Sequence, residues 1–331
     1  MRRKPRVSQS GGNSFSSPQT KNISSLGLES VLVQAQPLLQ CDLPVLILGE
    51  TGSGKSRLAQ WLHTHSMRRD GPFQIRGAGD LHEESLSAEL FGYVKGAFTG
   101  ADEDREGLFR ACDGGTLVLD DIDTLSMEAQ RRLLHVLENG WVTPLGAPDR
   151  RSPVDVRIIA TANTDIGCDS TDEAFRSDLY YRLATICIRM PALRNRSDDI
   201  AKLVLFYQNA FRDECPKLDK GQEIQPDAIR LMQLLVLPGN NRELRSAVYT
   251  LMLKAATADV VEINVAAATN MLTSNEMGHD YLKGLRQKVR RDDDLLEKLL
   301  QVTNHNKRLT ARLSGFSHQA IYNKCRAYGW N

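Results

Sequence analysis

The sequence has no pair of cysteines at C-x-x-C spacing and no histidine cluster at zinc-binding spacing, although six cysteines are scattered along it. Cys41, Cys112, Cys168, Cys187, Cys215 and Cys325 therefore read as reduced, mostly buried thiols of a cytoplasmic protein. A disulfide framework is not expected. No apolar run approaches the roughly 20 residues that cross a bilayer. The start, Met1-Arg2-Arg3-Lys4-Pro5-Arg6, is basic but leads into Ser, Gly and Gln, so no secretory signal is read and no membrane partner is expected. Acids are missing from residues 1–22, which carry five Lys and Arg. With so little apolar content, residues 1–25 are expected to be a disordered basic tail. That leaves no room for a sensory domain ahead of the folded part, so control is expected from a partner or from expression level.

What is present fits a soluble chain of 331 residues holding two or three domains. The net charge of +1 conceals basic ends, since Lys283–Trp330 holds eleven bases against four acids. Such ends suit contact with nucleic acid, although a basic tail alone is more often simply solvated.

The chemistry begins at Gly49-Glu50-Thr51-Gly52-Ser53-Gly54-Lys55-Ser56, which follows the apolar run Pro44–Leu48 and leads into a helix-periodic stretch. A strand, a glycine turn and a helix are the context that the phosphate-binding pattern G-x-x-x-x-G-K-[ST] needs. The glycines let backbone N–H groups surround a phosphate chain, Lys55 supplies charge, and the Ser56 hydroxyl suits Mg²⁺. ATP with Mg²⁺ is the expected cofactor. Gly114–Asp121 then reads as an apolar strand ending in two carboxylates. Beside a phosphate-binding loop, Asp120 suits Mg²⁺ and Asp121 suits an attacking water. The plainer alternative is that the two acids cap the helix beginning near Ser126.

Between these lies Gly96-Ala97-Phe98-Thr99-Gly100-Ala101, in which small residues flank one aromatic ring and one hydroxyl. This reads as a contact tip on a hinge. On spacing alone, a glycine-rich surface loop with a partly buried Phe is the simpler account.

A GAFTGA loop downstream of a phosphate-binding loop resembles the signature of bacterial enhancer-binding proteins, the AAA+ activators of RNA polymerase carrying sigma-54. The resemblance runs from about Leu28 to Trp330. It implies an α/β AAA+ domain with a parallel sheet over residues 26–190, an α-helical lid over 191–272 and a linker over 273–291. A Fis-type helix-turn-helix domain follows over 292–331. It also implies that Gly96–Ala101 engage the sigma factor through Phe98 and Thr99, and that Trp141–Pro153 form a second substrate-facing loop. Asn163 would sense the γ-phosphate, and Arg176 and Arg182 fall at arginine-finger positions, though two surface arginines are the plain alternative. Arg242 would report nucleotide from the lid. The family's partners are the sigma-54 polymerase, upstream DNA and further subunits in a ring, commonly a hexamer.

Three positions in the machinery that times hydrolysis depart from the family pattern, and in the lid Leu237 stands where an aromatic usually precedes Pro238. Asp121 stands where Glu is usual, Ala162 where Thr precedes the sensor Asn, and Gly77 where an Asn switches the catalytic acid. These changes predict slow hydrolysis, and a mixed ring with a related activator is the alternative assembly. At the C-terminus, His318, Gln319, Tyr322, Asn323, Lys324 and Arg326 are the expected DNA contacts. A basic bundle packed on the lid is the competing account of that unit.

Overall fold

The computed structural model describes residues 28–79, 83–163, 166, 175–273 and 281–330. The expected tail, residues 1–25, lies outside them, as does Cys168. After helix α1 (Glu29–Ala35) come strand β1 (Val45–Leu48), α2 (Lys55–Thr64), β2 (Phe73–Gly77) and α3 (Glu83–Phe91). Strand β3 (Thr116–Asp120), α4 (Met127–Asn139), β4 (Arg157–Ala162), α5 (Ser177–Leu183) and β5 (Ile186–Arg189) complete the α/β unit. Its sheet runs β2-β3-β4-β1-β5, parallel at every pairing.

The central strands are apolar at consecutive positions because both faces are covered. Alternate residues serve opposite faces. Leu46, Leu48, Leu117, Leu119, Ile158 and Ala160 pack with Leu90 of α3 and Leu133 of α4. Val45, Ile47, Val118 and Ile159 pack with Leu32 of α1 and Leu58 and Leu62 of α2. Ser126 caps α4, its hydroxyl accepting from the Ala129 N–H at 3.2 Å. Asp120 and Asp121 are therefore free of the capping role, and they stand at the carboxyl end of the sheet, where ligands bind in open α/β folds.

The lid comprises α6 (Asp199–Glu214), α7 (Pro226–Leu234), α8 (Asn240–Thr257) and α9 (Val265–Thr273), with a short parallel pair, Glu223–Ile224 and Glu262–Ile263. Beyond it lie α10 (Lys283–Val289), α11 (Asp293–Val302), α12 (Lys307–Ser314) and α13 (His318–Tyr328). Asp292, Asn306 and Ser317 cap the last three helices, each accepting a backbone N–H at 3.1 Å.

The expected linker over 273–291 is corrected in part. Lys283–Val289 is helical and buries Leu285 and Val289 in one core with the lid's Leu231 and Leu251 and with Leu296, Leu313 and Ile321. Its hydrophobic spacing, Leu282, Leu285 and Val289, is that of a helix, and the charges around it masked the pattern. A Cβ on Gly284 would come within 2.7 Å of Val236, so α10 approaches the lid as closely as only glycine permits. Burial of the thiols is also less general than expected, since Cys112 and Cys325 are buried whereas Cys187 is exposed.

Candidate nucleotide-binding site

The loop between β1 and α2 turns at Gly52 (φ 75°) and Gly54 (φ 111°), left-handed conformations that side chains rarely adopt. Gly54 thereby starts α2 with its amides facing a cleft of about 900 Å³. Thr51, Lys55 and Ser56 line the cleft from the loop side, Asp120 and Asp121 from β3, and Arg242 and Phe206 from the lid.

Lys55 is buried, its ammonium donating to the Gly49 carbonyl at 2.8 Å and lying 3.4 Å from Asn163 Oδ1. The Ser56 hydroxyl donates to Asp120 at 3.1 Å. Asp120 also accepts from Thr161 Oγ1, and that hydroxyl receives the Asp121 N–H at 3.1 Å. Asp121 adopts φ 51° and ψ 53°. Aspartate enters this region more readily than longer or bulkier side chains. Burial, followed by the charge of Asp120, pushes the Asp121 carboxyl above its ordinary pKa. Asn163 reaches Thr51 Oγ1 at 3.3 Å and Asp123 at 3.5 Å, and so spans the loop and the acids.

This donor set fits a nucleoside triphosphate with Mg²⁺. The helix amides, Lys55 and Arg242 offer positive charge, and Ser56 with Asp120 offers the hard oxygen ligands Mg²⁺ takes.

The lid grips the loop from behind. Arg194 donates to both oxygens of Glu50, at 2.7 and 2.5 Å, and Asn240 Nδ2 reaches Glu50 at 3.1 Å and the Thr51 carbonyl at 3.0 Å. Arg196 and Asn241 donate to the Ser53 carbonyl at 2.9 and 3.0 Å. The Arg194 contact, followed by Asn240, pulls the Glu50 pKa down to about 2.

Neither Arg176 nor Arg182 lines the cleft of its own chain. Arg176 forms two bonds to Asp178, at 3.0 and 2.6 Å, and Arg182 donates to the Leu137 carbonyl at 3.0 Å. Gly96 and Gly100 take positive φ, folding Gly96–Ala101 back on itself. A bond of 2.9 Å joins the Gly96 amide to the Ala101 carbonyl. Phe98 lies edge-on to Tyr93 at 4.9 Å, while Thr99 is exposed. A Cβ on Gly146 of the second loop would meet Ala97 at 2.7 Å, so the two loops interlock. On α13, His318, Gln319, Tyr322, Asn323 and Arg326 are exposed. Lys324 instead bonds Asp293 at 2.6 Å and lies over the Phe316 and Tyr328 rings.

Residues 23–189 match the Sigma-54 interaction domain, and residues 194–276 match the AAA+ ATPase lid domain. The chain belongs to the sigma-54-dependent enhancer-binding family of AAA+ transcription activators. It is 35% identical over 302 residues to the transcriptional regulatory protein GlrR of Escherichia coli K12, covering 88% of this chain and 64% of GlrR. It is 34% identical over 301 residues to ZraR of Salmonella typhimurium, covering 91% of this chain and 67% of ZraR. The crystal structure of NtrX from Brucella abortus in complex with ADP superposes with a TM-score of 0.67 at 25% identity. That match covers 94% of this chain and 70% of NtrX. The chain spans 40–67% of the length of its curated relatives.

Within this family fold, the structure gathers Lys55, Ser56, Asp120, Asp121, Asn163 and Arg242 around one cleft. Glu50, expected among the cofactor-binding residues, has its side chain committed to the lid. Sequence reasoning missed Arg194 and Asn240 as its partners, and Asn241 as the partner of the Ser53 carbonyl, because contacts across 144 and 188–190 residues leave no local pattern. It also missed the Asp178 partner of Arg176, which the i, i+2 spacing at a helix start would have suggested.

Proposed function

We propose that this chain is a sigma-54-dependent transcription activator that hydrolyses ATP in an oligomeric ring. The observation that carries the reading is the joining, in one α/β unit, of the Lys55–Asp120–Asn163 cleft to an exposed GAFTGA loop. Lys55 and the loop amides bind and orient the phosphates. Ser56 and Asp120 would hold Mg²⁺, which would neutralise charge on the phosphate oxygens when bound. Asp121 orients the attacking water and takes up its proton, and Asn163 links the state of the phosphate chain to β4.

Arg176 and Arg182 do not line their own cleft, which suits fingers that complete a neighbouring subunit's site and stabilise charge that develops there. The exposed face of α13 binds upstream DNA through His318, Gln319, Tyr322, Asn323 and Arg326, with Lys324 beside them. Alternation between nucleotide states moves Gly96–Ala101 against the sigma factor of the polymerase and promotes DNA opening. Gly77, in register with Asp120, supplies no side chain there. This favours slow turnover, and it keeps a mixed ring with a related activator as the second assembly.

The test is ATP turnover across protein concentration for the native chain, Arg176→Ala and Thr99→Ala. Cooperative turnover that collapses in Arg176→Ala and survives in Thr99→Ala supports the reading. ATP binding without turnover at any concentration overturns the self-sufficient motor and directs attention to a partner subunit.

A further inference from the structure

Asp120 ends β3 between two parallel neighbours that treat it very differently. On one side the register sets Gly77 opposite it, so β2 offers the carboxylate no side chain. On the other side stands Thr161, fully buried in β4. Its hydroxyl donates to Asp120 Oδ1 and accepts the Asp121 N–H at 3.1 Å. A hydroxyl carries one proton and two lone pairs, so both contacts are made together only with Asp120 as the acceptor. Asp120 then turns its oxygens toward Ser56, at 3.1 and 3.3 Å.

The second contact bears on Asp121. Its left-handed backbone, φ 51°, is one that a residue with a side chain holds only where its surroundings fix it. The bond to Thr161 secures the amide on the N-terminal side of that turn, and with it the direction in which the Asp121 side chain enters the cleft. Two residues farther along the same strand segment, Asn163 contacts Thr51 and Lys55. A single hydroxyl thus connects both acids to the segment that senses the phosphate-binding loop.

We propose that Thr161 is the positioning residue for both cleft carboxylates, holding Asp120 toward Ser56 and fixing the backbone from which Asp121 acts. The proposal rests on the cleft being a Mg²⁺–ATP site. It offers an account of how the cleft keeps its acids in place with glycine at 77 and alanine at 162.

The experiment uses the full chain with Thr161→Val, which keeps the shape and removes the hydroxyl, and Thr161→Ser, which keeps the hydroxyl. Thr161→Ala serves as a second hydroxyl-free variant should valine not fold. ATP affinity is measured in EDTA and in Mg²⁺, and kcat and KM are measured separately.

In EDTA the valine variant should bind ATP within about twofold of the native chain, because the loop amides and Lys55 are untouched. In Mg²⁺ it should lose most of the metal-dependent gain in affinity. Its kcat should fall about tenfold or more, with KM rising in step with the lost Mg²⁺-dependent affinity. Thr161→Ser should restore both readouts.

The proposal is overturned if the valine or alanine variant matches the native chain in both readouts. It is equally overturned if serine fails as badly as valine, or if Mg²⁺ gives the native chain no gain in affinity. A native chain that gains affinity from Mg²⁺ yet does not turn over removes only the hydrolysis reading, and the affinity comparison still decides the role of Thr161.

Discussion

The carboxylate of Glu50 receives two hydrogen bonds from the Arg194 guanidinium, at 2.7 and 2.5 Å, so the phosphate-binding loop is tied to the lid behind the cleft. The pair depresses the Glu50 pKa to about 2, below the ordinary glutamate value of about 4.3. Its stabilising contribution is therefore complete above the ordinary value and fades as pH falls toward 2. Both side chains are about one-third exposed, so solvent screening limits the contribution to about 1 kcal/mol. Denaturant unfolding of Arg194→Ala should show this deficit at pH 7 and a shrinking one below about pH 4. A deficit independent of pH would mean that Arg194 stabilises through packing instead.

The Asp121 carboxyl has a raised pKa, through burial and then the neighbouring charge of Asp120. Replacing it with Asn removes the proposed proton acceptor and one of two adjacent negative charges. Turnover should fall by about 10²-fold or more, while ATP affinity is kept or improved because phosphate meets less repulsion. If Asp121 is the proton acceptor, the pH profile of the native chain should show an acid limb displaced upward from the ordinary aspartate value. Loss of ATP binding in Asp121→Asn would instead assign the residue to ground-state binding.

Much of this site was legible in the sequence because its parts are local. The glycines, Lys55 and Ser56 lie within eight residues, and the apolar strand before Asp120 announces its own end. Residues 199–211 fall within α6, and residues 307–313 within α12 with Asn306 as its extended cap, both following helical apolar spacing. What escaped was nonlocal. The Glu50–Arg194 latch joins residues 144 apart, and the Thr161 contacts depend on strand order, which no local pattern encodes. Helix α10 was read as a linker because five Lys and Arg between 283 and 291 outweighed three well-spaced apolar residues.

At Gly52 the loop backbone packs directly against the lid backbone, the glycine's carbonyl accepting the Asn241 N–H at 3.0 Å. The Gly52 φ of 75° disfavours a side chain, and a Cβ would stand 2.3 Å from the Gly239 carbonyl oxygen. Backbone on both sides leaves no flexible group to yield, so Gly52→Ala should push the lid from the loop. ATP affinity should drop at least about tenfold, and the melting temperature should fall by several degrees, consistent with about 1–3 kcal/mol of strain. Calorimetric titration with ATP checks the first effect and thermal unfolding the second. Native affinity in this variant would show that the lid contact is dispensable.

The two bases near the end of α13 should fail in different ways. Lys324 is half-buried and shared among Asp293, Phe316 and Tyr328, an arrangement that lowers the Asp293 pKa chiefly through the lysine contact and then through Tyr328. Arg326 is exposed on the same helix. In salt titrations of duplex DNA binding, Arg326→Ala should lower the slope of log affinity against log salt by about 1, with the fold unchanged. Lys324→Ala should lower the thermal stability of the C-terminal helices by releasing α11 from α13, and weaken DNA binding as a consequence of that loss. The discriminating measurement is unfolding in the absence of DNA. If Lys324→Ala melts as the native chain does yet shows the same drop in salt slope as Arg326→Ala, then the lysine contacts phosphate directly, and its packing against Asp293 is incidental.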